Sequence, residues 1–218
     1  MRLMSSQANL FDVQQPIRIA PSAFDASDAD RLYWPSFLNA DESDYYLDTI
    51  VNALQWQQRT LHVYNQDHLT PRLIAWCAEP GLEYSYSGDT TPQQDWPPAL
   101  VQLKNRVETY CNSRFNGALL NYYRNGEDRM GWHCDDEASL GVQPVIASVS
   151  LGADRTFQFR PKPPRRGERI DMQLENGSLL LMSGNTQALW QHALPKRKRV
   201  QQARLNITFR YIHDIKTR

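Results

Sequence analysis

The chain has 218 residues, of which 41% are hydrophobic and 11% aromatic, enough for one sizeable core. Its formal net charge is zero, but residues 1–154 carry 10 basic and 20 acidic side chains, whereas residues 155–218 carry 14 and 4. This division predicts either a polyanionic partner for the basic part or mutual neutralisation of the two parts within the fold.

Several classes of protein are excluded by the pattern. The longest purely apolar run is LLLM at 179–182, far too short for a transmembrane helix, so we expect no membrane segment. The N-terminus lacks the apolar segment of a secretory signal. Three scattered cysteines without a CxxC pair predict neither a disulfide framework nor a Cys-ligated zinc site. We therefore expect an intracellular protein, cytoplasmic if bacterial and nuclear if eukaryotic.

The first predicted elements are an extended or poorly ordered segment and a helix. Residues 1–30 are polar and show no periodicity, which is typical of a segment that contributes little to a core. Within 38–56, Asn39 and Glu42 have the spacing of a capping box, in which each side chain accepts the other residue's backbone N–H. Apolar residues follow at helical spacing, so we expect a helix over this segment.

A second helix is predicted over residues 96–111. Proline near its entry suits the first turn, where the backbone N–H has no partner within the helix. The helix has an apolar stripe formed by Leu100, Leu103, Val107 and Tyr110. The intervening residues 57–95 mix short aromatic alternations with Pro, Gly and Asp, which predicts small strands and loops.

After about residue 117 the pattern changes to that of strands. Segments rich in β-branched and aromatic residues are separated by turn-forming sequences such as RNGEDRMG and ENGS. The predicted strands are 118–124, 145–152, 156–160, 168–174, 178–183 and 204–212. Strands without predicted helices between them favour an antiparallel sandwich or barrel.

Three residues are candidate metal ligands. His133 and Asp135 form an H-x-D pair, whose side chains share one face if the segment is extended. His192, which follows a predicted strand, is a candidate third ligand. Two histidines and one carboxylate leave three positions of an octahedral metal open, as in the facial triad of non-haem Fe(II) oxygenases. The spacing leaves open that the two histidines are unrelated surface or core residues.

The last predicted strand alternates apolar and polar residues. Its polar face carries Arg204, Asn206, Thr208 and Arg210. If this face lies on solvent, the strand is an ordinary half-buried one. If it faces the interior, the two arginines suit a small dicarboxylate, because a guanidinium binds a carboxylate in a bidentate manner. A dicarboxylate pocket beside a facial triad is what a 2-oxoglutarate-dependent oxygenase requires.

Five segments in consistent order resemble the AlkB family of Fe(II)/2-oxoglutarate dioxygenases, in particular its branch that dealkylates double-stranded DNA. The matching segments, within roughly 30–213, are PRLIAWCAEPGLEYSYSG, LLNYYRNGEDRMGWHCDDE, PVIASVSLGADRTFQFR, GSLLLMSGNTQALWQHALP and ARLNITFRYI. The resemblance implies a mainly β, α+β fold, with flanking N-terminal helices on a double-stranded β-helix (jelly roll). Residues 31–116 would form the helical support and a nucleotide-recognition lid, and 117–218 the jelly-roll core, of one dioxygenase domain over 31–218.

Carried over to the matching positions, the resemblance implies a metal centre and a cosubstrate pocket. Iron would be held by His133, Asp135 and His192. Bound 2-oxoglutarate would contact Asn121, Tyr123, Arg204, Asn206, Thr208 and Arg210. Arg204 would pair with the distal carboxylate of 2-oxoglutarate, and Arg210 would lie nearer its metal-chelating end. The polar face of 204–210 would accordingly point inward.

The resemblance also implies how a base is recognised. An enzyme that acts on a base must take it out of the stack, so the lid would cover a flipped base. Tyr86 and the ring of His133 would sandwich that base. Tyr84 and Asp136 would contact its polar edge, with Glu137 supporting the contact.

Two further segments are candidate contacts to nucleic acid. Tyr64 lies where duplex-acting members of the family carry an intercalating finger, and would fill the vacated position in the stack. The basic loop Lys196, Arg197, Lys198 and Arg199 would neutralise phosphates and make binding salt-dependent. The alternative for such a charge run is a solvated turn.

The resemblance implies an enzyme that repairs N-alkylated bases, such as 1-methyladenine and 3-methylcytosine, in DNA, with the duplex as the expected form, and we expect it to be a monomer. It would use Fe(II), 2-oxoglutarate and O2, and release succinate, CO2 and an aldehyde. Two alternatives stay open, namely the same chemistry on RNA or a protein side chain, and a non-catalytic jelly-roll binding module. The complete ligand set argues against the binding module, which has no need of an open iron site.

Overall fold

The computed structural model describes the chain over 15–19, 30–63, 66–82, 85–86 and 89–213. Within these ranges the side chains are described except at 61–63, 66–68, 85–86 and 89–90. The helices are α1 (Ala40–Ala53), α2 (Pro98–Cys111) and the single turn α3 (Thr186–Leu189), with a 3-10 turn at Ala138–Leu140. None of these helices is both long enough and apolar enough to cross a membrane.

Sixteen strands lie within the described part of the chain. In chain order they are β1 (Ile17–Arg18), β2 (Asp30–Trp34), β3 (Thr60–Val63), β4 (Gln66–Leu69), β5 (Leu73–Ala78), β6 (Ser85–Tyr86), β7 (Asp89–Thr90), β8 (Gln93–Gln94), β9 (Gly117–Tyr123), β10 (Met130–His133), β11 (Ile146–Gly152), β12 (Arg155–Pro161), β13 (Ile170–Leu174), β14 (Ser178–Ser183), β15 (Trp190–Leu194) and β16 (Arg204–Arg210). Two short hairpins, β3–β4 and β6–β7, form small sheets of their own.

The remaining strands form the two sheets of a jelly roll. The larger sheet has the order β1-β2-β14-β11-β16-β9-β5-β8, and the smaller sheet has the order β10-β15-β12-β13. All neighbours in both sheets are antiparallel except β5 and β8. From β9 onward the chain passes repeatedly from one sheet to the other, which is the double-stranded β-helix arrangement.

The two long helices cover the outer face of the larger sheet. The capping box begins α1, since the Asn39 and Glu42 side chains each accept the other residue's backbone N–H at 2.9 Å. Glu42 also accepts a 2.6 Å bond from Arg106 Nη1, which ties α2 to α1. The helices bury their apolar faces against the sheet in a cluster that includes Ile50, Leu100, Leu103, Val107, Leu205, Ile207 and Phe209.

A second apolar cluster fills part of the space between the sheets. It combines Tyr33 and Trp76 of the larger sheet with Phe159 and Trp190 of the smaller one. Strand β16 is therefore covered on both faces, by helices on one side and by the smaller sheet on the other. Its polar face points into the interior, where Arg204 and Arg210 are each 2% exposed. The solvent-facing alternative for this strand is excluded.

The predicted elements are confirmed with small shifts of their ends. Both helices and all six strands lie within three residues of the predicted bounds. The sequence patterns missed α3 and strands β10 and β15, because a single helical turn and short strands rich in His, Gln and Trp have no clear periodicity. The larger sheet also takes β2 and β5 from the part of the chain before residue 117.

Candidate metal centre and cosubstrate pocket

Three ligand-bearing residues converge at the inner side of the smaller sheet. His133 ends β10 and lies opposite His192 of β15 in the sheet register, and Asp135 follows two residues after β10. Nε2 of His133 is 3.9 Å from Asp135 Oδ1, and Nε2 of His192 is 3.7 Å from Asp135 Oδ2. These distances are too long for hydrogen bonds. They leave room for an ion between the three side chains, whose ligand atoms lie within 4.8 Å of one another.

The protonation states of the three side chains suit metal ligands. Burial lowers the pKa of His133 despite the nearby Asp135 carboxylate. Burial also lowers the pKa of His192, to about 3. Burial acts to raise the pKa of the Asp135 carboxyl, but Arg210 and the two histidines hold it at about 2. At neutral pH the site therefore presents two neutral imidazoles and one carboxylate, which is the form that binds a metal.

The orientation of each imidazole is set by its surroundings. Nδ1 of His133 lies 2.9 Å from the Gly131 carbonyl oxygen, to which it donates, so that the lone pair of Nε2 faces Asp135. The His192 ring is 5.3 Å from the Phe157 ring and 6.0 Å from the Phe159 ring, centroid to centroid. These aromatic rings wall the site on the side of the smaller sheet and exclude water there.

Arg210 connects the three candidate metal ligands His133, Asp135 and His192 (the metal cluster) to the larger sheet. Its Nη2 donates to Asp135 Oδ1 at 3.2 Å, and its Nη1 lies 3.7 Å from Glu137 Oε1. The guanidinium thus neutralises the buried Asp135 carboxylate and keeps it ionised. Glu137, predicted to support a base contact, points towards this guanidinium.

One cavity between the sheets opens onto the cluster. It is bordered by His133, Asp135 and His192, and by all six residues that the resemblance implies for 2-oxoglutarate, namely Asn121, Tyr123, Arg204, Asn206, Thr208 and Arg210. Strands β9 and β16 place them together, because Asn121 lies opposite Asn206, and Tyr123 opposite Arg204, in the sheet register. The predicted metal ligands and the predicted cosubstrate-binding residues therefore line the same cavity.

Arg204 lies in this cavity without an anionic partner. Its Nη2 donates to Ser150 Oγ at 2.9 Å, its Cζ is 5.4 Å from the centre of the Tyr123 ring, and its Nε is buried without an acceptor. No carboxylate of the described residues pairs with it. Burial lowers its pKa to about 10, so it is charged at neutral pH. A buried cation without a counter-ion is costly, which makes this position suitable for a ligand carboxylate.

Sequence patterns missed two arginines that also line the cavity. Arg72 is 8% exposed, and its Nε donates to Asn121 Oδ1 at 2.7 Å. Arg59 is also 8% exposed and donates to the Thr91 hydroxyl. Both residues lie in a stretch with no regular periodicity, and neither belongs to a residue pattern that is typical of a metal or anion site. The only available signal for Arg72 was its position in the motif PRLIAWCAEPGLEYSYSG.

A family model supports the same interpretation. Residues 30–210 match the family described as the 2OG-Fe(II) oxygenase superfamily. The chain belongs to this superfamily. Because that family uses Fe(II) with 2-oxoglutarate and O2, the metal cluster and the cavity can be compared with the groups they would hold.

Similar proteins of known family show which part of the superfamily the chain resembles. Human alpha-ketoglutarate-dependent dioxygenase alkB homolog 3 is 43% identical over 188 residues, covering 83% of this chain and 65% of the relative. Bovine DNA oxidative demethylase ALKBH2 is 40% identical over 179 residues, covering 79% of this chain and 64% of the relative. Human ALKBH2 is 38% identical, with 79% and 69% covered. The chain is therefore AlkB-like, and it spans about 65% of the length of the alkB homolog 3 proteins.

The residues of this AlkB-like chain fit the groups that the family uses. Two imidazoles and one carboxylate match the facial triad of non-haem iron sites and leave ligand positions free for a cosubstrate. The buried Nε of Arg204, which has no hydrogen-bond acceptor among the described residues, fits a carboxylate bound in the same cavity. Asp135, His133 and His192 would hold Fe(II), and Arg204 would hold 2-oxoglutarate.

Asp136 faces away from the metal cluster and is exposed. Its Oδ2 accepts a 2.8 Å hydrogen bond from Lys162 Nζ and a 3.1 Å one from Cys134 Sγ. Lys162 follows β12 and lies in the basic, Pro-rich segment RPKPPRRGER (160–169), so this ion pair joins that segment to the segment that carries His133 and Asp135. A contact between Asp136 and a base stays a prediction, and would have to coexist with or replace the pair.

The basic loop 196–199 is held in place by the turn 124–129. Gly126 N donates to the Val200 carbonyl and Arg197 N to the Gly126 carbonyl, both at 2.8 Å. A side chain at Gly126 would overlap the Arg197 carbonyl oxygen, so only glycine permits this approach. Below the loop, the buried Arg155 donates to the carbonyls of Asn125, Asp128 and Pro195.

The four basic side chains of this loop differ in their partners. Lys196 Nζ is 2.9 Å from Glu127 Oε2, and Arg197 Nε donates to Thr156 Oγ1 at 3.2 Å. Lys198 and Arg199 are exposed, and neither forms an ion pair with any described residue. They are the members of the loop that are best placed to meet a phosphate.

Three predicted base contacts lie outside what the structure describes. Tyr64 and Tyr84 are outside the described residues, and only the backbone of Tyr86 is described, in strand β6. Their roles stay predictions from the resemblance.

Asp128 provides a prediction about the turn that carries the basic loop. Its carboxylate is 5% exposed and accepts hydrogen bonds from the Arg124 backbone N–H, Nε and Nη2 at 2.8–2.9 Å. Burial acts to raise the pKa of this carboxyl, but the bonds from Arg124 hold it below its usual value. The carboxylate therefore adds stability above its unfolded pKa of about 4, and this stability is lost as the pH falls through the lower folded-state pKa.

We expect Asp128→Asn to lower the free energy of unfolding at pH 7 by about 1–3 kcal/mol, because a buried charged acceptor is removed. The difference between wild type and variant should shrink as the pH falls below the unfolded-state pKa of about 4 and through the lower folded-state pKa, where the native wild-type carboxylate becomes protonated. Urea unfolding at a series of pH values measures both quantities. An equal difference at neutral and acid pH would contradict the assigned role.

Proposed function

We propose that this chain oxidatively dealkylates N-alkylated nucleobases in DNA, such as 1-methyladenine and 3-methylcytosine. The observation that carries the proposal is a cavity lined both by the His133/Asp135/His192 cluster and by Arg204, whose guanidinium has no anionic partner among the described residues. Support for the reaction comes from relatives named as an alpha-ketoglutarate-dependent dioxygenase and DNA oxidative demethylases. The expected products are succinate, CO2, an aldehyde and the repaired base.

The chain's own residues bind and orient the reactants. Arg204 would pair with the distal carboxylate of 2-oxoglutarate, and Tyr123 packs beside its guanidinium. Asn206, which also lines the cavity, is held in place because its Nδ2 donates to Ser148 Oγ at 2.8 Å. Arg210 keeps Asp135 ionised as a ligand. When bound, Fe(II) with 2-oxoglutarate and O2 supplies the oxidising power.

The site also explains why an alkylated base is a suitable substrate. A base must leave the stack to reach a buried cluster, and a lesion that cannot pair lowers that cost by up to a few kcal/mol. The His133 ring is the member of the cluster nearest the surface, since its side chain is 16% exposed against 4% for His192. A flipped base would therefore meet the His133 side of the cluster. Arg72 lines the same cavity as His133, and we infer that it contacts the polar edge of the base.

The proposal is tested by product formation on methylated oligonucleotides. Single-stranded and duplex DNA and RNA carrying 1-methyladenine or 3-methylcytosine are incubated with Fe(II), 2-oxoglutarate and O2, and succinate and repaired base are measured. We expect succinate formation that depends on the methyl group and is coupled to repair, with duplex DNA among the substrates. Turnover on RNA but not on DNA would show that the chain performs the same chemistry on RNA. No turnover on any oligonucleotide would contradict the proposal.

The basic loop provides a second test, which concerns binding. Replacing Lys198 and Arg199 by alanine should weaken duplex binding and reduce the slope of log affinity against log salt by about 1 for each lost phosphate contact. Arg18→Ala/Arg114→Ala is the charge-matched control, since it also removes two exposed basic side chains, 55% and 86% exposed, but from β1 and the segment before β9, where they pair with Asp30 and Glu108. An unchanged salt slope in the loop variant, or the same change in both variants, would show that the loop is a solvated turn.

A further inference from the structure

A buried glutamine lies directly behind the metal cluster. Gln187 is in α3, the single turn between β14 and β15, and is 1% exposed. Its side-chain Oε1 accepts the backbone N–H of Asp135 at 3.0 Å. Glutamine is seldom this deeply buried, and a buried amide is retained only where its hydrogen bonds are satisfied.

The neighbours of Gln187 determine which way its amide points. The Asp135 backbone N–H is a donor, so the amide oxygen must face it. The amide Nε2 then faces Met182 Sδ at 3.7 Å, a weak acceptor on β14 whose side chain also lines the cavity. The reversed amide would place two donors against each other at Asp135, so the orientation is fixed.

Asp135 depends on this contact more than the two histidines depend on theirs. His133 and His192 lie opposite each other in the paired strands β10 and β15, after a register shift between Met130 and His133, so strand pairing holds both of their backbones. Asp135 lies beyond the end of β10, where no strand ladder holds it. The hydrogen bond from its N–H to Gln187 attaches it to α3, which continues directly into the strand that carries His192.

We propose that Gln187 is a positioning residue that sets the distance and orientation of Asp135 relative to His192, and thereby the affinity of the cluster for a divalent metal. It acts through the Asp135 backbone and touches neither metal nor substrate. The inference rests on the proposed iron site but not on the nucleic-acid substrate. Loss of a residue that orients a direct ligand typically weakens metal binding by about 10–100-fold.

The test measures metal binding to the full chain without oligonucleotide. Gln187→Met keeps the size of the side chain and removes the acceptor. We expect Co(II) to bind about 10–100-fold more weakly, measured by titration calorimetry, with an altered ligand-field absorption spectrum because Asp135 is no longer held in place. Gln187→Asn, which withdraws the acceptor by one methylene, should show the same spectral change if Gln187→Met fails to fold.

The matched control is Thr186→Val in the same helical turn. Thr186 is also 1% exposed, and its hydroxyl donates to Ser183 O at 2.7 Å, but it contacts none of the three ligands. The Thr186→Val variant should be less stable than wild type but bind Co(II) with the affinity and absorption spectrum of the wild type. The proposal is overturned if both Gln187 variants bind Co(II) within twofold of wild type, or if Thr186→Val loses as much affinity. Absence of Co(II) binding by the wild type would instead contradict the proposed metal site.

Discussion

Asp135→Asn should reduce 2-oxoglutarate turnover by more than about 100-fold, because it alters a direct metal ligand. Loss of a residue that only orients a ligand typically costs about 10–100-fold, so the loss of a ligand should cost more. Asparagine keeps the volume of the side chain but removes the negative charge that two neutral imidazoles cannot replace. The charge of Arg210, which now faces Asp135 at 3.2 Å, would also be left beside an uncharged group. Succinate formation with a methylated oligonucleotide measures the loss.

Asp128→Asn is the control for this variant. It also replaces a buried aspartate that is paired with an arginine, but Asp128 lies in the turn before β10, outside the metal cluster. It should lose stability and retain Co(II) binding, whereas Asp135→Asn should lose Co(II) binding. Wild-type turnover in Asp135→Asn would show that this residue is not a ligand.

Arg204→Met should weaken 2-oxoglutarate binding by about 2–5 kcal/mol, or roughly 30-fold to several thousandfold, because the ligand carboxylate would lose its buried charged partner. The same change should leave the ligand-free protein at least as stable as wild type. In that state Arg204 is a buried cation with no anionic partner among the described residues, and replacing such a charge with an apolar group of similar volume is often stabilising. Calorimetric titration with 2-oxoglutarate and thermal unfolding measure the two effects.

Arg155→Met is the control that shows what the removal of a buried arginine does by itself. Arg155 is 1% exposed, against 2% for Arg204, but it donates to three backbone carbonyls. We expect this variant to lower the melting temperature of the ligand-free protein, the opposite of Arg204→Met. If Arg204→Met destabilises the ligand-free protein as strongly as Arg155→Met does, Arg204 is a structural residue and not a ligand residue.

The local elements were predictable because their signals are short in range. The Asn39 and Glu42 pair specifies the start of α1 through bonds three residues apart. The alternation in 204–210 specifies a strand with one polar and one apolar face. Neither signal says what lies opposite each face. Alternation alone was equally compatible with a solvent-facing strand, and only the family resemblance favoured an inward polar face.

The parts of the site that escaped prediction depend on contacts between distant segments. Gln187 and Asp135 are 52 positions apart, and Arg72 and Asn121 are 49 apart. Lys162 and Asp136 pair across 26 positions. Gln187, Arg72 and Lys162 lie in no pattern that is distinctive by itself, since an isolated Gln, Arg or Lys is ordinarily a surface residue.

The amino-acid sequence by itself determined the type of each main element, the mainly β character of the second part and, through the motif resemblance, the candidate ligands. The tertiary structure decided which side of each strand is buried and which charges meet. It places the arginines of β16 in the interior because the helices cover one face of the larger sheet and the smaller sheet covers the other. The physical reason is that periodicity reports local geometry, whereas burial and pairing depend on sheet order and register, which bring distant residues together.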